Sequence, residues 1–245
     1  MQDENGIGFR LRLLDMLEPW RSPIHCLHEI AYDNFKDIDL RLVLLSLRDM
    51  SFRPPQSGNT AFDCLNEWCG TGIAKHFAVY DLLRRLGLFP RMWMANYLMG
   101  LSLPSKDDSL AKIIRRQQIQ DVHVFLTCDF GAGERIVDIT FPARMHEEGF
   151  IVTKDWKRSH DCNLPCAVLE QREITADARG LWRVSMWTQL LNPGIKMRYR
   201  QQLIDHIIKI ADEGDTHEAR KRHIHRTYFQ INNLTPPVLT NRRFG

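Results

Sequence analysis

The run IAKHFAVYDLLRRLG, residues 73–87, constrains the fold more than any other stretch of this 245-residue chain. Ala74, Phe77, Ala78, Leu82 and Leu86 recur at helical spacing, and Ile73 and Leu83 widen the stripe. The run therefore predicts an amphipathic helix that must bury one face. A tight glycine-bearing turn, CGTG at 69–72, leads into it, and Gly87 is a natural C-terminal stop. Beyond Pro90 the pattern changes to strand-like runs rich in aromatic and β-branched residues: RMWMANYLMG, DVHVFLTCDF and ERIVDITF. FGAGER between the last two reads as a hairpin connection, so those two strands are expected to pair antiparallel.

The flanks read as helices. SPIHCLHEIAYDNF places Ser22 as an N-cap with Pro23 at the first helical position. DIDLRLVLLSLRDM puts Leu40, Val43, Leu44 and Leu47 on one stripe. RPPQSGNT is a loop, and AFDCLNEW reads as a short helix. LPSKDDSLAKIIRRQQIQ, between the first two strands, is polar enough for an exposed, partly helical excursion. GFIVTKDW and CAVLEQREI are two further strand candidates. GLWRVSMWTQLL, IKMRYRQQLIDHIIKIADEG and THEARKRHIHRTYFQIN are helical, before the loose tail LTPPVLTNRRFG. Helices, then strands, then helices argue an α+β class. We read one domain over 1–245, with a core at about 60–160, an N-terminal helical part at 1–59 and a C-terminal helical part at 175–245.

Composition narrows the function classes. Apolar residues at 44% and charged residues at 26% are the balance of a soluble globular protein. A net charge of +3 makes no case for nucleic-acid binding. No window is long and apolar enough for a membrane span, and the first residues carry no secretory pattern. The six scattered cysteines then read as reduced thiols in a cytoplasmic protein. No nucleotide loop or dinucleotide fingerprint is present, so no cofactor is expected.

Thiol acyl-transfer enzymes need a thiolate, a base that takes its proton, and a group that orients the base. The thiolate is best placed at a helix N-terminus, where unpaired N–H groups lower its pKa and stabilise an oxyanion. Here His123 in DVHVFL and Asp138 in ERIVDITF lie across the proposed hairpin, where paired strands bring two such residues onto one face. An imidazole held by a carboxylate is the base of a triad. As plain alternatives, His123 is a half-buried strand histidine and Asp138 an edge carboxylate.

GTGIAKHFAVYDLLRRLGLFPR followed by HVFLTCDFGAGERIVDITF resembles the transglutaminase-like superfamily, papain-type folds with a Cys-His-Asp triad. That family's pattern is a G-x-C turn, a helix ending in LG, a strand opening with His and a strand carrying D-x-T. Gly70, Thr71, Lys75 and His76 match a G-T-C-S-x-K-H version of the helix start, and the likeness covers roughly residues 60–142. It implies a central helix packed on an antiparallel sheet, with additional N- and C-terminal helices. It also implies triad positions at His123 and Asp138. The chain departs from the pattern at the nucleophile, where Gly72 stands in place of cysteine. Cys69, three positions upstream, is the substitute to consider, and it serves only if the turn folds back to aim its sulfur at His123. Trp68, Gly72, Ile73, Lys75 and His76 are candidates to line the cleft at the helix start, with an exposed Lys75 and a core-packed His76 as the plain alternatives.

Three functions follow. One is an acyl-transfer enzyme or hydrolase acting through Cys69, His123 and Asp138, which requires a thiol of lowered pKa. The second keeps His123 and Asp138 as an acid–base pair on a small-molecule, peptide or acyl substrate, with Gly72 leaving room for a carbonyl or anion. The third is a catalytically inactive scaffold that binds a ligand or protein partner in the old cleft. Oligomeric state is left open, a dimer included. His160, Cys162 and Cys166 resemble half of a metal site but have no second half at zinc spacing, so no metal site is expected. RKRHIHR at 220–226 reads as a solvated basic face, and Trp182, Trp187, Tyr199, Tyr228 and Phe229 read as core aromatics.

Overall fold

The computed structural model describes residues 40–56, 61–99 and 116–213. The expected helices at 22–35 and 216–232, the basic cluster, Cys26, Tyr228, Phe229, the tail and most of the excursion at 103–120 lie outside the described residues. The described chain is α+β: helices α1 (Leu40–Arg48), α2 (Ala61–Glu67) and α3 (Gly72–Arg85) precede strands β1 (Arg91–Leu98), β2 (Gln120–Asp129), β3 (Glu134–Val137) and β4 (Val168–Ile174). Helices α4 (Ala178–Leu191) and α5 (Ile195–Glu213) follow. The sheet order is β3-β2-β1-β4, with every pairing antiparallel. No described helix is long and apolar enough to cross a membrane.

The helical stripes fold as their spacing dictates. Leu40, Val43, Leu44 and Leu47 of α1 are all buried, as are Ala74, Phe77, Ala78, Leu82 and Leu83 of α3. They form one core with Met92 and Met94 of β1 and Val122, Val124 and Leu126 of β2. A second core gathers Tyr97, Phe141, Phe150 and Cys166 with Leu203 and Ile207 of α5. Arg200 donates to the buried Asp121 carboxylate at 2.7 Å and holds α5 against the start of β2.

Helices α2 and α3 end in the same motif with different residues. After α3, the Gly87 N–H donates to Arg84 O and the Leu88 N–H to Leu83 O, with Gly87 at φ +75°. This is the Schellman arrangement, in which the left-handed position favours glycine. After α2, the Trp68 N–H donates to Leu65 O and the Cys69 N–H to Cys64 O, and the left-handed residue is Trp68, at φ +53°. A bulky residue there costs about 1–2 kcal/mol of backbone strain. The Gly70 N–H then donates to Ser51 O at 2.9 Å, which ties the strained turn to the segment after α1.

The hairpin forms where FGAGER places it. The Asp129 carboxylate accepts from the N–H groups of Gly131 and Gly133, closing the turn with its own side chain. Two strand expectations need correction. ERIVDITF is strand only through Val137, because the next free donor, the Ile139 N–H, turns to His76 of α3 instead of to β2. GFIVTKDW forms no strand. Phe150, Val152 and Trp156 are buried, but the buried Arg48 guanidinium takes the carbonyls of Thr153 and Lys154 in place of a neighbouring strand. Trp182, read as core, is 63% exposed on α4, whereas Trp187 and Tyr199 are partly buried against the two cores.

Candidate active site

Extending the β2–β3 register past its last pair sets Asp138 opposite Phe125, so its carboxylate meets His123 diagonally on the same face. His123 Nε2–H donates to Asp138 Oδ2 at 2.5 Å, and Asp138 Oδ1 accepts from the Thr140 N–H at 3.0 Å. Both carboxylate oxygens are thus engaged. Burial alone would raise the Asp138 carboxyl, but His123, with lesser help from His76 and the Thr140 N–H, holds it below its ordinary value. An ionised Asp138 fixes the imidazole tautomer with its proton on Nε2 and its lone pair on Nδ1. That Nδ1 has no hydrogen-bond partner among the described residues. Phe125 lies nearly parallel to the imidazole with ring centres 6.2 Å apart, and Tyr97 meets it edge-on at 6.4 Å. His123 remains 7% exposed.

The first turn of α3 reaches the same place. His76 Nδ1 bonds the Gly72 carbonyl at 2.6 Å, and its Nε2 accepts from the Ile139 N–H at 3.2 Å. Its ring stands edge-on to His123 at 6.2 Å. Burial lowers its pKa to about 4, despite the opposing charge of Asp138. His76 is therefore a neutral splice between α3 and the end of β3, so its expected place in the cleft lining gives way to a structural one. Lys75 is likewise fully buried, with Nζ donating to Arg48 O at 2.7 Å and Met50 O at 3.0 Å. It closes the carbonyl end of α1 and is neither an exposed nor a cleft lysine. Burial pulls it down to about 7.

Gly72 is the first residue of α3 and is half-buried, as are Trp68 and Ile73. A Cβ at position 72 would stand 2.9 Å from Thr140 Cγ2 and 3.1 Å from Thr140 Oγ1. The side chain of Thr140 thus packs against the helix start where a nucleophile would emerge. Thr140 is the site residue that the spacing argument missed. Its only signal in the sequence is its place in the D-x-T motif, two positions after Asp138.

Cys69 does not meet the demands of a displaced nucleophile. Its thiol is buried and points to Glu67 Oε2 at 3.9 Å. Burial first, and then the charge and hydrogen bond of Glu67 against the opposing Arg53, raise its pKa where a thiolate mechanism needs it lowered. Burial also pushes the thiols of Cys64 and Cys166 up to about 12 and those of Cys128 and Cys162 up to about 11. Among the described residues, no group of three or more His, Cys, Asp or Glu side chains is placed to hold a metal ion. The HDCNLPC segment instead covers the outer edge of β3. The Cys162 N–H donates to Ile136 O, and Asp161 Oδ1 accepts from the Ile136 N–H.

No family model matches this chain, and neither a curated protein nor a solved structure matches it.

Proposed function

We propose that the chain is an enzyme with a transglutaminase-like, papain-type core that has dispensed with the thiol and uses His123 and Asp138 as a general acid–base pair. The substrates are small molecules or peptides carrying an acyl group. The reaction is water-mediated hydrolysis, or proton abstraction next to a carbonyl. The observation that carries this reading is the 2.5 Å contact between His123 Nε2 and Asp138 Oδ2, made by a carboxylate whose second oxygen is also held. That arrangement leaves one basic lone pair, on Nδ1, in a fixed direction. A general base of this kind contributes about 10²- to 10⁴-fold in rate. Cys69 has no part in this mechanism, because its proton is held toward Glu67.

A second reading, the inactive scaffold, is favoured by one observation: Thr140 fills the volume beside Gly72. The two separate in one experiment. The purified chain is screened against small esters, amides and N-acyl amines, beside His123→Ala and Asp138→Asn. Under the enzyme reading, turnover is lost in both variants although each is still folded at the assay temperature, and iodoacetamide treatment leaves wild-type turnover intact. Turnover that survives His123→Ala would sink the acid–base assignment, and absence of turnover on every substrate favours the scaffold.

A further inference from the structure

The two edges of the sheet end differently. At the β3 edge, the segment at 161–162 takes the outward groups of Ile136: the Cys162 N–H donates to its carbonyl, and Asp161 Oδ1 accepts from its N–H. β4 forms the opposite edge and is open. Among the described residues no backbone hydrogen bond reaches β4 from its far side, and Leu169, Glu170, Gln171, Arg172 and Glu173 are all exposed. An open edge is a row of unpaired donors and acceptors that pairs with another strand unless the chain blocks it. β4 has no proline or lysine, and its register shift against β1 falls at Leu169, which leaves 170–174 regular.

The order of charges on β4 selects the strand that fits. When β4 pairs antiparallel with a second β4 about Gln171, Glu170 of each copy faces Arg172 of the other. Moving the axis by one residue opposes Glu170 to Glu170, or Arg172 to Arg172. Opposite charges facing across two strands stabilise the pair and like charges destabilise it, so the register about Gln171 is favoured. The two side chains already share one face of the sheet, where the Arg172 Nε–H donates to Glu170 Oε1 at 2.8 Å. That face also carries α4, since the Arg172 guanidinium lies 4.8 Å from the centre of the Trp187 ring. Leu190, one turn beyond Trp187, is 64% exposed. A twofold axis perpendicular to the sheet keeps both copies of α4 on the same side, where Leu190 adds apolar area to the joined strands.

We propose that β4 is a self-pairing edge and that the chain forms a twofold dimer, its two sheets joined through β4 into one continuous sheet. The partner is a second copy of this chain. A sheet edge offers its main-chain groups to any strand, and the alternation of Glu170 and Arg172 is what matches β4 to itself. The interface lies on the far side of β1 from His123 on β2 and Asp138 just past β3. The dimer therefore goes beyond the acid–base reading and does not depend on it.

The test is sedimentation velocity of the full chain over a concentration series, where the wild type should pass from monomer to dimer. Glu170→Arg and Arg172→Glu each set like charges across the axis twice, and each should raise the dissociation constant by about tenfold or more. The double variant reverses both charges and should restore the dimer. An equimolar mixture of the two single variants should form a heterodimer, because one chain then carries two cations at these positions and the other two carboxylates. Both side chains are about half exposed, so the substitutions leave the core untouched. Should a single variant not fold, hydrogen exchange on the wild type decides: β4 amides should be protected at high concentration and lose protection on dilution. A wild type that stays monomeric at every concentration overturns the proposal, as does exchange that ignores concentration. So does a dimer that both single variants leave unchanged, or a double variant no tighter than the singles.

Discussion

His76 and His123 lie with ring centres 6.2 Å apart and are both buried, yet they are built for opposite ends. His76 spends both nitrogens on backbone groups, one on Gly72 O and one on the Ile139 N–H. Protonating it would break the second bond and place a charge in an apolar setting. His123 spends one nitrogen, on the Asp138 carboxylate, and its other nitrogen has no partner among the described residues. Burial alone therefore does not distinguish a structural histidine from a reactive one. What distinguishes them is whether the second nitrogen is already spoken for: on His76 it accepts from the Ile139 N–H, a bond that a proton there would break.

The strongest test of this contrast is on activity. Asp138→Asn, which keeps the shape and loses the charge, should lower turnover about 10²- to 10⁴-fold, measured as kcat/KM on the substrate the wild type prefers. His76→Gln should leave kcat/KM within a fewfold once stability is matched by temperature. A comparable loss in both variants would erase the distinction.

The next largest effect is on stability in acid. The folded pKa of His76, about 4, lies below its ordinary 6.5. The unfolded chain therefore binds the proton first, and the His76 contribution to stability is full above pH 6.5 and declines as pH falls toward 4. The decline amounts to about 3 kcal/mol, at roughly 1.4 kcal/mol per pKa unit. Asp138, held below its ordinary 3.8, adds a further loss that begins only as pH falls through that range. Urea melts at pH 7, 5.5 and 4.5 should show the His76 decline, and His76→Gln should flatten it. A wild-type midpoint that is constant over this range would mean that His76 is not kept neutral.

A smaller effect is expected where α3 meets the strand end. Gly72→Ala puts a methyl group against Thr140 and should cost about 1–3 kcal/mol, the usual range for overpacking. Pairing it with Thr140→Ala should recover much of that loss, and additive costs in the double-mutant cycle would show that the two positions are not in contact. The smallest effect belongs to Cys69. Cys69→Ser should leave turnover unchanged, and iodoacetamide should label Cys69 more slowly than an exposed thiol. Rapid labelling that depends on His123 would return the thiol to the mechanism.

Much of this site was legible before any coordinates. The spacing of Ala74, Phe77, Ala78 and Leu82 places α3, FGAGER places the hairpin, and the hairpin brings His123 and Asp138 together. These are local signals: helical periodicity, turn chemistry and the alternation of a strand. The fates of Lys75 and His76 were not legible, because their partners, Arg48 O, Met50 O and the Ile139 N–H, lie 27, 25 and 63 positions away. Nor was the abrupt end of β3, since the donor that leaves the ladder is captured by a side chain from another element. GFIVTKDW misled for the same reason: Phe150 and Val152 do turn inward, but Arg48 took the carbonyls that a neighbouring strand would have used.

By itself, then, the sequence determined the helix α3, the hairpin, and which two side chains would stand across that hairpin, because those outcomes depend on residues close along the chain. The tertiary structure alone decided which polar groups are already satisfied. Cys69 faces Glu67, His76 is spent on backbone, and Thr140 is pressed beneath Gly72 with its hydroxyl unpaired. A hydrogen bond reaches only about 3 Å. Whether a group is engaged or free depends on which distant segments the core brings to that range, and no local pattern encodes it.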